Sequence, residues 1–353
     1  NMVVSDDGLM VFADNDLENF ITSANNKPEG QRSVAEKEVL ARLAYYQSNN
    51  IGWVARPKPI PGLSETQRLG RFKKASNLNY TFHLEARVLA LASTEGLELQ
   101  EALVRVLNDK NYKFARASGD ISIGEIILLL DKDSITHPEV IIKTIPEFIV
   151  DHKLAYTQNK TYPVNENENY FSRIIGHFTR IIFNVGVPSK VLLGGNVPFM
   201  GHNGFIRKSV LQKVNYWRED RVSEDLDFAM NSHKAGYHGK YIAYKGLNFG
   251  ETVTRTHTEE ISKYYRYAYG LVEIIFNPVQ KWLREGILNN NFKEYAKSEN
   301  IRWFELVDLM IYKISYVSLA SVVPMALLSV IVPSIITKLM LGLIISSFIF
   351  ILF

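Results

Sequence analysis

A chain of 353 residues with 46% hydrophobic content can bury more core than one domain usually carries, so more than one structural unit is expected. The net charge of +3 comes without an extended basic stripe, which argues against nucleic-acid binding. No cysteine is present, so disulfides and thiolate metal sites are excluded and a reducing compartment fits.

The first apolar run, MVVS, reads as the end of a strand, and the chain is expected to be a fragment with segments missing before it. Asp6, Asp7 and Gly8 follow it and read locally as a turn. SVAEKEVLARLAYYQ and NYTFHLEARVLALAS carry helical patterns, and IGWVA, GEIILLLD, KLAYTQ and KYIAY are β-rich. Alternation of the two kinds predicts an α/β fold with a mainly parallel sheet. Lys73 and Lys74 are either a phosphate-facing pair or an ordinary solvated one. Residues 108–120 read as a polar loop feeding the strand over 125–130, whose continuous apolar run is expected of a central strand covered on both faces.

That strand runs into Asp131 and Asp133. Ligands of open α/β sheets sit beyond the carboxyl ends of the strands, and in extended backbone positions 131 and 133 point the same way. Two hard oxygen ligands would suit a divalent cation that keeps other positions for water and phosphate. The alternative is a solvated turn in which Asp133 or Ser134 caps a helix opening at His137.

Further along, His202 and Asn203 lie between Gly201 and Gly204, in a channel lining or a packed turn. No HExxH or HxH spacing occurs, so a histidine-bound zinc is not expected. Ser223, Glu224 and Asp225 precede an amphipathic helix, where Ser223 could simply be its N-cap. Tyr264, Tyr265, Tyr267 and Tyr269 fall at helical spacing, so at least two should pack in a core. Residues 276–282, FNPVQKW, read as an amphipathic element at a membrane interface or as a linker helix packed on the preceding domain. Leu309 to Val332 contains Lys313 as its only charge, and LMLGLIISSFIFILF ends the chain: one full membrane span and a second cut short. Basic residues ahead of the first span place residues 1–308 in the cytoplasm.

Taken in order, these pieces resemble the membrane-integrated family-2 glycosyltransferases, the group holding cellulose, chitin and hyaluronan synthases. The segments GRFKKASN, GHNGFIRK, YAYG and FNP look most like its fungal-type branch. The resemblance implies a GT-A-type nucleotide-sugar-binding domain over residues 1–272, an interfacial helical linker over 273–308 and transmembrane helices over 309–353. It implies that Asp6 and Asp7 contact the nucleotide, with Lys73, Lys74 and Asn77 beside it. Asp131 and Asp133 match the DxD motif that holds Mg²⁺ or Mn²⁺ against the donor diphosphate. Residues 197–208, with His202 and Asn203, resemble the acceptor side. Ser223-Glu224-Asp225 matches the TED motif, with Asp225 the expected general base, Glu224 its rival, and Asp227 more structural. Where the family has QxxRW this chain has Lys263-Tyr264-Tyr265-Arg266-Tyr267. Arg266 is kept for phosphate, and Tyr267 offers a smaller aromatic face to a sugar.

The implied reaction is inverting transfer from a nucleoside-diphosphate sugar, UDP by expectation, to a growing β-linked polysaccharide, by an integral plasma-membrane protein with lipid around it. Two rivals stand: a non-processive transferase acting on a lipid or short glycan, which would share every catalytic residue, and a non-catalytic sugar-nucleotide or glycan-binding membrane protein.

Overall fold

The computed structural model describes residues 1–63, 66–68, 73–112 and 114–310. The expected membrane spans therefore lie, apart from Leu309 and Met310, outside the described residues. Among the described residues no helix is long and apolar enough to cross a membrane. The chain divides into two compact units, one comprising Asn1–Glu125 with Trp217–Asp220, the other Ile126–Tyr216 with Arg221 onward.

In the first unit, β1 (Val3–Ser5) pairs in parallel with β2 (Gly52–Ala55), and β3 (Arg116–Ser118) adds antiparallel to β2. β3 falls inside the segment that reads as a loop. Three helices, α1 (Asp7–Phe12), α2 (Leu17–Asn25) and α3 (Val34–Ser48), enclose one apolar cluster of Leu9, Met10, Leu17, Val39 and Tyr46. The second cluster, Val54 with Leu84, Val88, Leu103 and Val106, is supplied by β2, α4 (Lys74–Glu95) and α5 (Leu99–Leu107). A capping box fixes the start of α3: Ser33 accepts from the Glu36 backbone, and the Glu36 side chain accepts from Ser33 N.

The second unit holds β4 (Ile126–Leu129), α6 (Glu139–Val150), β5 (Leu154–Asn159), β6 (Thr161–Pro163), α7 (Tyr170–Ile181) and α8 (Val187–Leu192), the last two joined by a π-turn over Ile182–Gly186. β7 (Gly204–Arg207), α9 (Lys208–Lys213), α10 (Glu224–Lys234), β8 (His238–Ile242), β9 (Phe249–Glu251) and α11 (His257–Ile275) follow, then α12 (Trp282–Glu285) and α13 (Asn290–Lys297). Its main sheet has the order β4-β7-β5-β8, and β6 pairs in parallel with β9.

Two expectations are corrected here. The sheets are mixed rather than mainly parallel, because β7 inserts antiparallel to both β4 and β5, while β5 and β8 run parallel. β4 is an edge strand with half-buried residues, and the fully buried interior strand is β5. An apolar run alone did not distinguish the two.

The segment expected as a separate linker from 273 is also built into this unit. The 272/273 boundary falls inside the last turn of α11, and Phe292 and Tyr295 of α13 pack on Met230, Ile274 and Ile275.

Candidate functional site

In the first unit the carboxyl ends of β1 and β2 carry a network of ions. Asp6, 9% exposed, caps α1 by accepting from Gly8 N at 3.0 Å. It also receives Arg42 Nη1 on both oxygens, at 3.0 and 3.1 Å, and the Tyr46 hydroxyl at 2.8 Å. Burial and this bond to Asp6 push the Tyr46 hydroxyl's pKa well up. Asp7 is gripped by Arg56: Nε donates to its two oxygens at 3.1 and 3.2 Å and Nη2 donates at 2.6 Å. Arg56 is 3% exposed and ties the start of α4 through Ser76 Oγ at 2.9 Å. Arg68 Nη1 lies 3.5 Å from the same carboxylate.

Of the expected nucleotide residues, Asp6 and Asp7 form part of this cluster and Lys73 and Asn77 adjoin it. Lys73, in left-handed backbone at φ 64°, donates to Arg68 O, and Lys74 begins α4. Asn77 Nδ2 donates to Ser5 O at 3.1 Å, whereas its buried Oδ1 accepts nothing among the described residues. Asp6 is the most enclosed of them. Its oxygens are occupied by Gly8, Arg42 and Tyr46, so it serves the scaffold rather than a ligand. Arg56 and Arg68 were not anticipated; the signal was an arginine immediately after the strand IGWVA.

In the second unit the DxD pair sits in a turn. Ser134 N donates to Asp131 O at 3.0 Å, and Asp131 N donates to Ser134 Oγ at 3.2 Å. The expectation that strand alternation aligns positions 131 and 133 is therefore corrected, since Lys132 and Asp133 occupy the turn corners. Neither Asp133 nor Ser134 caps the next helix, which opens at Glu139. Asp131 is partly buried and Asp133 is exposed.

The turn Gly201–Gly204 has Asp131 beside His202 and Asp225 beside Gly201. Asp131 Oδ2 lies 3.9 Å from His202 Nδ1. A Cβ on Gly201 would stand 3.1 Å from Asp225 Oδ2, so the Asp225 carboxylate rests against that glycine, whose φ of 76° also favours Gly. His202 is held on both sides, Nδ1 at 3.0 Å from Met200 O and Nε2 at 2.9 Å from Glu251 Oε2. Gln158 secures the turn from β5, with Oε1 accepting from Met200 N at 2.8 Å and Nε2 donating to His202 O at 3.2 Å.

Asn203 is corrected from acceptor contact to scaffold. It is fully buried at φ 52°, and its backbone N donates to Leu129 O while its O accepts from Asn159 N, joining the ends of β4 and β5. Glu251 and Gln158 were missed; a polar TQN run ending a fully buried strand was the available signal for Gln158.

The segment carrying Asp225 is docked on α11. Ser223 does not cap α10 through its side chain; its hydroxyl packs against Gly270, where any Cβ would collide with it. Val222 N donates to Glu273 Oε2 at 3.0 Å, and Arg221 Nη1 donates to Glu273 O at 2.9 Å. Asp225 Oδ1 accepts from Leu226 N at 2.8 Å, and Glu224 occupies the same first turn. Asp227, 2% exposed, accepts from Asn231 and Asn291 side chains, a packing role.

One turn before Gly270, α11 exposes Arg266 and Tyr267. Lys263 Nζ stands 5.8 Å over the Tyr267 ring, so the two departures from QxxRW meet as a cation–π pair. The four tyrosines 264, 265, 267 and 269 are all 42–58% exposed, which corrects the expectation that two would be core. The inward face of α11 is made instead by Glu260, Gly270, Leu271, Ile274 and Ile275.

Residues 126–353 match the family described as glycosyl transferase family group 2, and this match begins at the first residue of the second unit. The chain belongs to that family. It carries the family's glycosyltransferase domain, so the expectation of an enzyme of this class holds. Among curated relatives it is 25% identical over 118 residues to a probable glucomannan 4-beta-mannosyltransferase 6 of Oryza sativa subsp. japonica, covering 33% of this chain and 21% of that one. It is 24% identical over 111 residues to the beta-monoglucosyldiacylglycerol synthase of Trichormus variabilis, covering 31% and 23%. The chain thus spans less than a quarter of these relatives' length. Among solved structures, a mannosyltransferase from Pyrobaculum calidifontis in complex with GDP-Man and Mn²⁺ aligns with a TM-score of 0.42 at 13% identity, over 99% of this chain and 85% of that one.

No cluster of three or more His, Asp or Glu able to hold a metal occurs among the described residues. The accessible carboxylates of Asp131 and Asp133, two residues apart, still fit a hard cation whose remaining ligands are water and phosphate oxygens.

Proposed function

We propose that the chain is an inverting glycosyltransferase that moves a sugar from a nucleoside-diphosphate sugar, UDP-linked by our reading, onto a growing β-linked polysaccharide at a membrane. The observation that supports it most is the meeting of Asp131 and Asp225 at the Gly201–Gly204 turn.

Asp225 is assigned as general base, taking the proton of the acceptor hydroxyl as it attacks the anomeric carbon. Glu224 is the alternate carboxylate. Attack opposite the leaving group inverts that carbon, and no second nucleophilic carboxylate is required. Asp131 and Asp133 would hold Mg²⁺ or Mn²⁺, which when bound supplies a Lewis acid to the leaving diphosphate. Arg266 adds a permanent charge that pairs with phosphate, and Tyr267 an aromatic face for a sugar ring. His202, held by Met200 O and Glu251, stands beside Asp131 and orients the turn. For the first unit we assign nucleotide contact to Asn77, Lys73 and Lys74, with Asp7 acting through Arg56 and Arg68. We place the chain in the plasma membrane on the apolar run after residue 308, with the catalytic side to the cytoplasm on the basic residues ahead of that run.

A second acceptor class has one observation in its favour. The similarity to the beta-monoglucosyldiacylglycerol synthase is nearly as extensive as that to the mannosyltransferase, so a lipid acceptor is the competing reading.

The test uses the full chain in nanodiscs with a panel of UDP-sugars, following release of free nucleoside diphosphate and product length. Divalent-dependent release and long polymer are expected; single additions to lipid would favour the second reading. Asp225→Asn should keep donor affinity and lower turnover by about 10²-fold or more. Unchanged turnover removes Asp225 from the mechanism.

A further inference from the structure

The helix α7 packs in the reverse of the usual sense. Its inward face is made of small and polar residues, Ser172, Gly176 and Thr179, continued by Phe183 in the π-turn. Gly176 allows the contact: a Cβ there would stand 2.9 Å from Glu166 Cβ and 3.2 Å from Pro163 Cγ. The opposite face is apolar and exposed, with Tyr170 79%, Ile174 36%, Phe178 55%, Ile182 47% and Val185 53% accessible. Spacings of three and four residues put these side chains in one stripe along the helix axis. Residues 170–193 contain Arg173, Arg180 and Lys190 and no acidic residue, and Arg173, His177 and Arg180 line one border of the stripe.

The stripe also leads somewhere. Leu192 and Leu193, at the end of α8, are 87% and 65% exposed. They adjoin the segment that precedes the long apolar run: a Cβ on Gly194 would meet the Phe304 ring at 3.1 Å, Lys190 Nζ is 3.0 Å from Asp308, and Arg302 Nη2 donates to Gly194 O at 3.3 Å. Trp303 is 77% exposed beside them. Leu309–Val332, with a single charge, begins at that point.

We infer that α7, its π-turn and α8 form an interfacial platform that lies in the plane of a bilayer. Ile174, Phe178 and Val185 enter the acyl boundary, and Arg173 and His177 reach anionic headgroups. An outward apolar stripe with a basic border, continuous with the root of a membrane-length apolar run, is the pattern of an interfacial helix. The inference rests on the membrane placement proposed above. It adds an interfacial element to the one expected at residues 276–282, whereas α13 is committed to the core.

Because the chain has no cysteine, single-cysteine variants place one environment-sensitive fluorophore at a time. Phe178→Cys, Met325→Cys and Tyr45→Cys are labelled in the full chain in nanodiscs of phosphatidylcholine and phosphatidylglycerol. Labels are quenched either by doxyl-lipid or by aqueous iodide. The label at 178 should be quenched by the lipid-borne agent about threefold more than the label at 45, with iodide quenching reduced to match. If 325 is lipid-quenched while 178 is as open to iodide as 45, the platform is refuted and the membrane reading survives. If 325 and 178 both face water, the membrane placement itself fails. Protection of 178 from both agents means that protein covers the stripe, which also overturns the inference.

Discussion

The two units treat their carboxylates in opposite ways. In the first, Asp6 and Asp7 are enclosed by Arg42, Tyr46, Arg56 and Arg68, and nearly every oxygen lone pair has a partner from the unit itself. In the second, Asp131 and Asp225 are partly exposed around a glycine turn, and Asp133 is exposed. A buried network closed by arginines holds strands and helices in register, whereas the carboxylates of the second unit keep part of their surface in solvent. Two motifs of similar appearance, Asp-Asp and Asp-x-Asp, therefore sit in different surroundings.

The contrast can be broken most forcefully at Arg56. Replacing it with Ala leaves Asp7 and Ser76 without their main partner at a site 3% exposed, and should cost about 3–5 kcal/mol in chemical unfolding followed by Trp53 fluorescence. A change below about 1 kcal/mol would show that the network is not what holds the first unit.

In the second unit, Gly201→Ala places a Cβ 3.1 Å from Asp225 Oδ2 in left-handed backbone. Stability should fall by only about 1–2 kcal/mol, while turnover falls further because the carboxylate is displaced. Equal losses of stability and turnover would reduce the turn to a purely structural feature.

A smaller and pH-dependent effect belongs to His233. Its Nε2 lies 3.0 Å from the Tyr156 hydroxyl, which itself donates to Val197 O, and burial followed by the nearby charges of His238 and Lys190 lowers its pKa from 6.5 to about 3. The unfolded chain thus binds the extra proton between these values, so stability is full above pH 6.5 and declines as pH falls, with a slope of up to about 1.4 kcal/mol per pH unit. His233→Gln should flatten that slope in acid denaturation; an unaltered slope would place the burden elsewhere.

The places of the motifs in the fold were legible because short motifs tend to lie at element ends. Asp131 at the end of β4, Asp225 in the first turn of α10 and Arg266 on α11 occupy the kinds of position the residues suggested. Long-range pairing was not legible. β7 enters between β4 and β5, so an apolar run that reads as a central strand becomes an edge, and the parallel sheet becomes mixed. The consumption of Asp6 depended on Arg42 and Tyr46, 36 and 40 residues away, and the anchoring of His202 on Glu251, 49 residues away. Such partners leave no local periodicity. The outward tyrosines of α11 and the inverted face of α7 were hidden for a related reason: spacing gives a stripe but not the side it faces.

The account depends on positions 131 and 225 meeting across one turn, and a cysteine-free chain allows that to be measured directly. With Asp131→Cys and Asp225→Cys combined, a short bifunctional maleimide should link the two in the folded full chain, scored by peptide mapping after digestion. If each cysteine is labelled singly but no link between them forms, the two carboxylates do not share a site and the transferase geometry is contradicted.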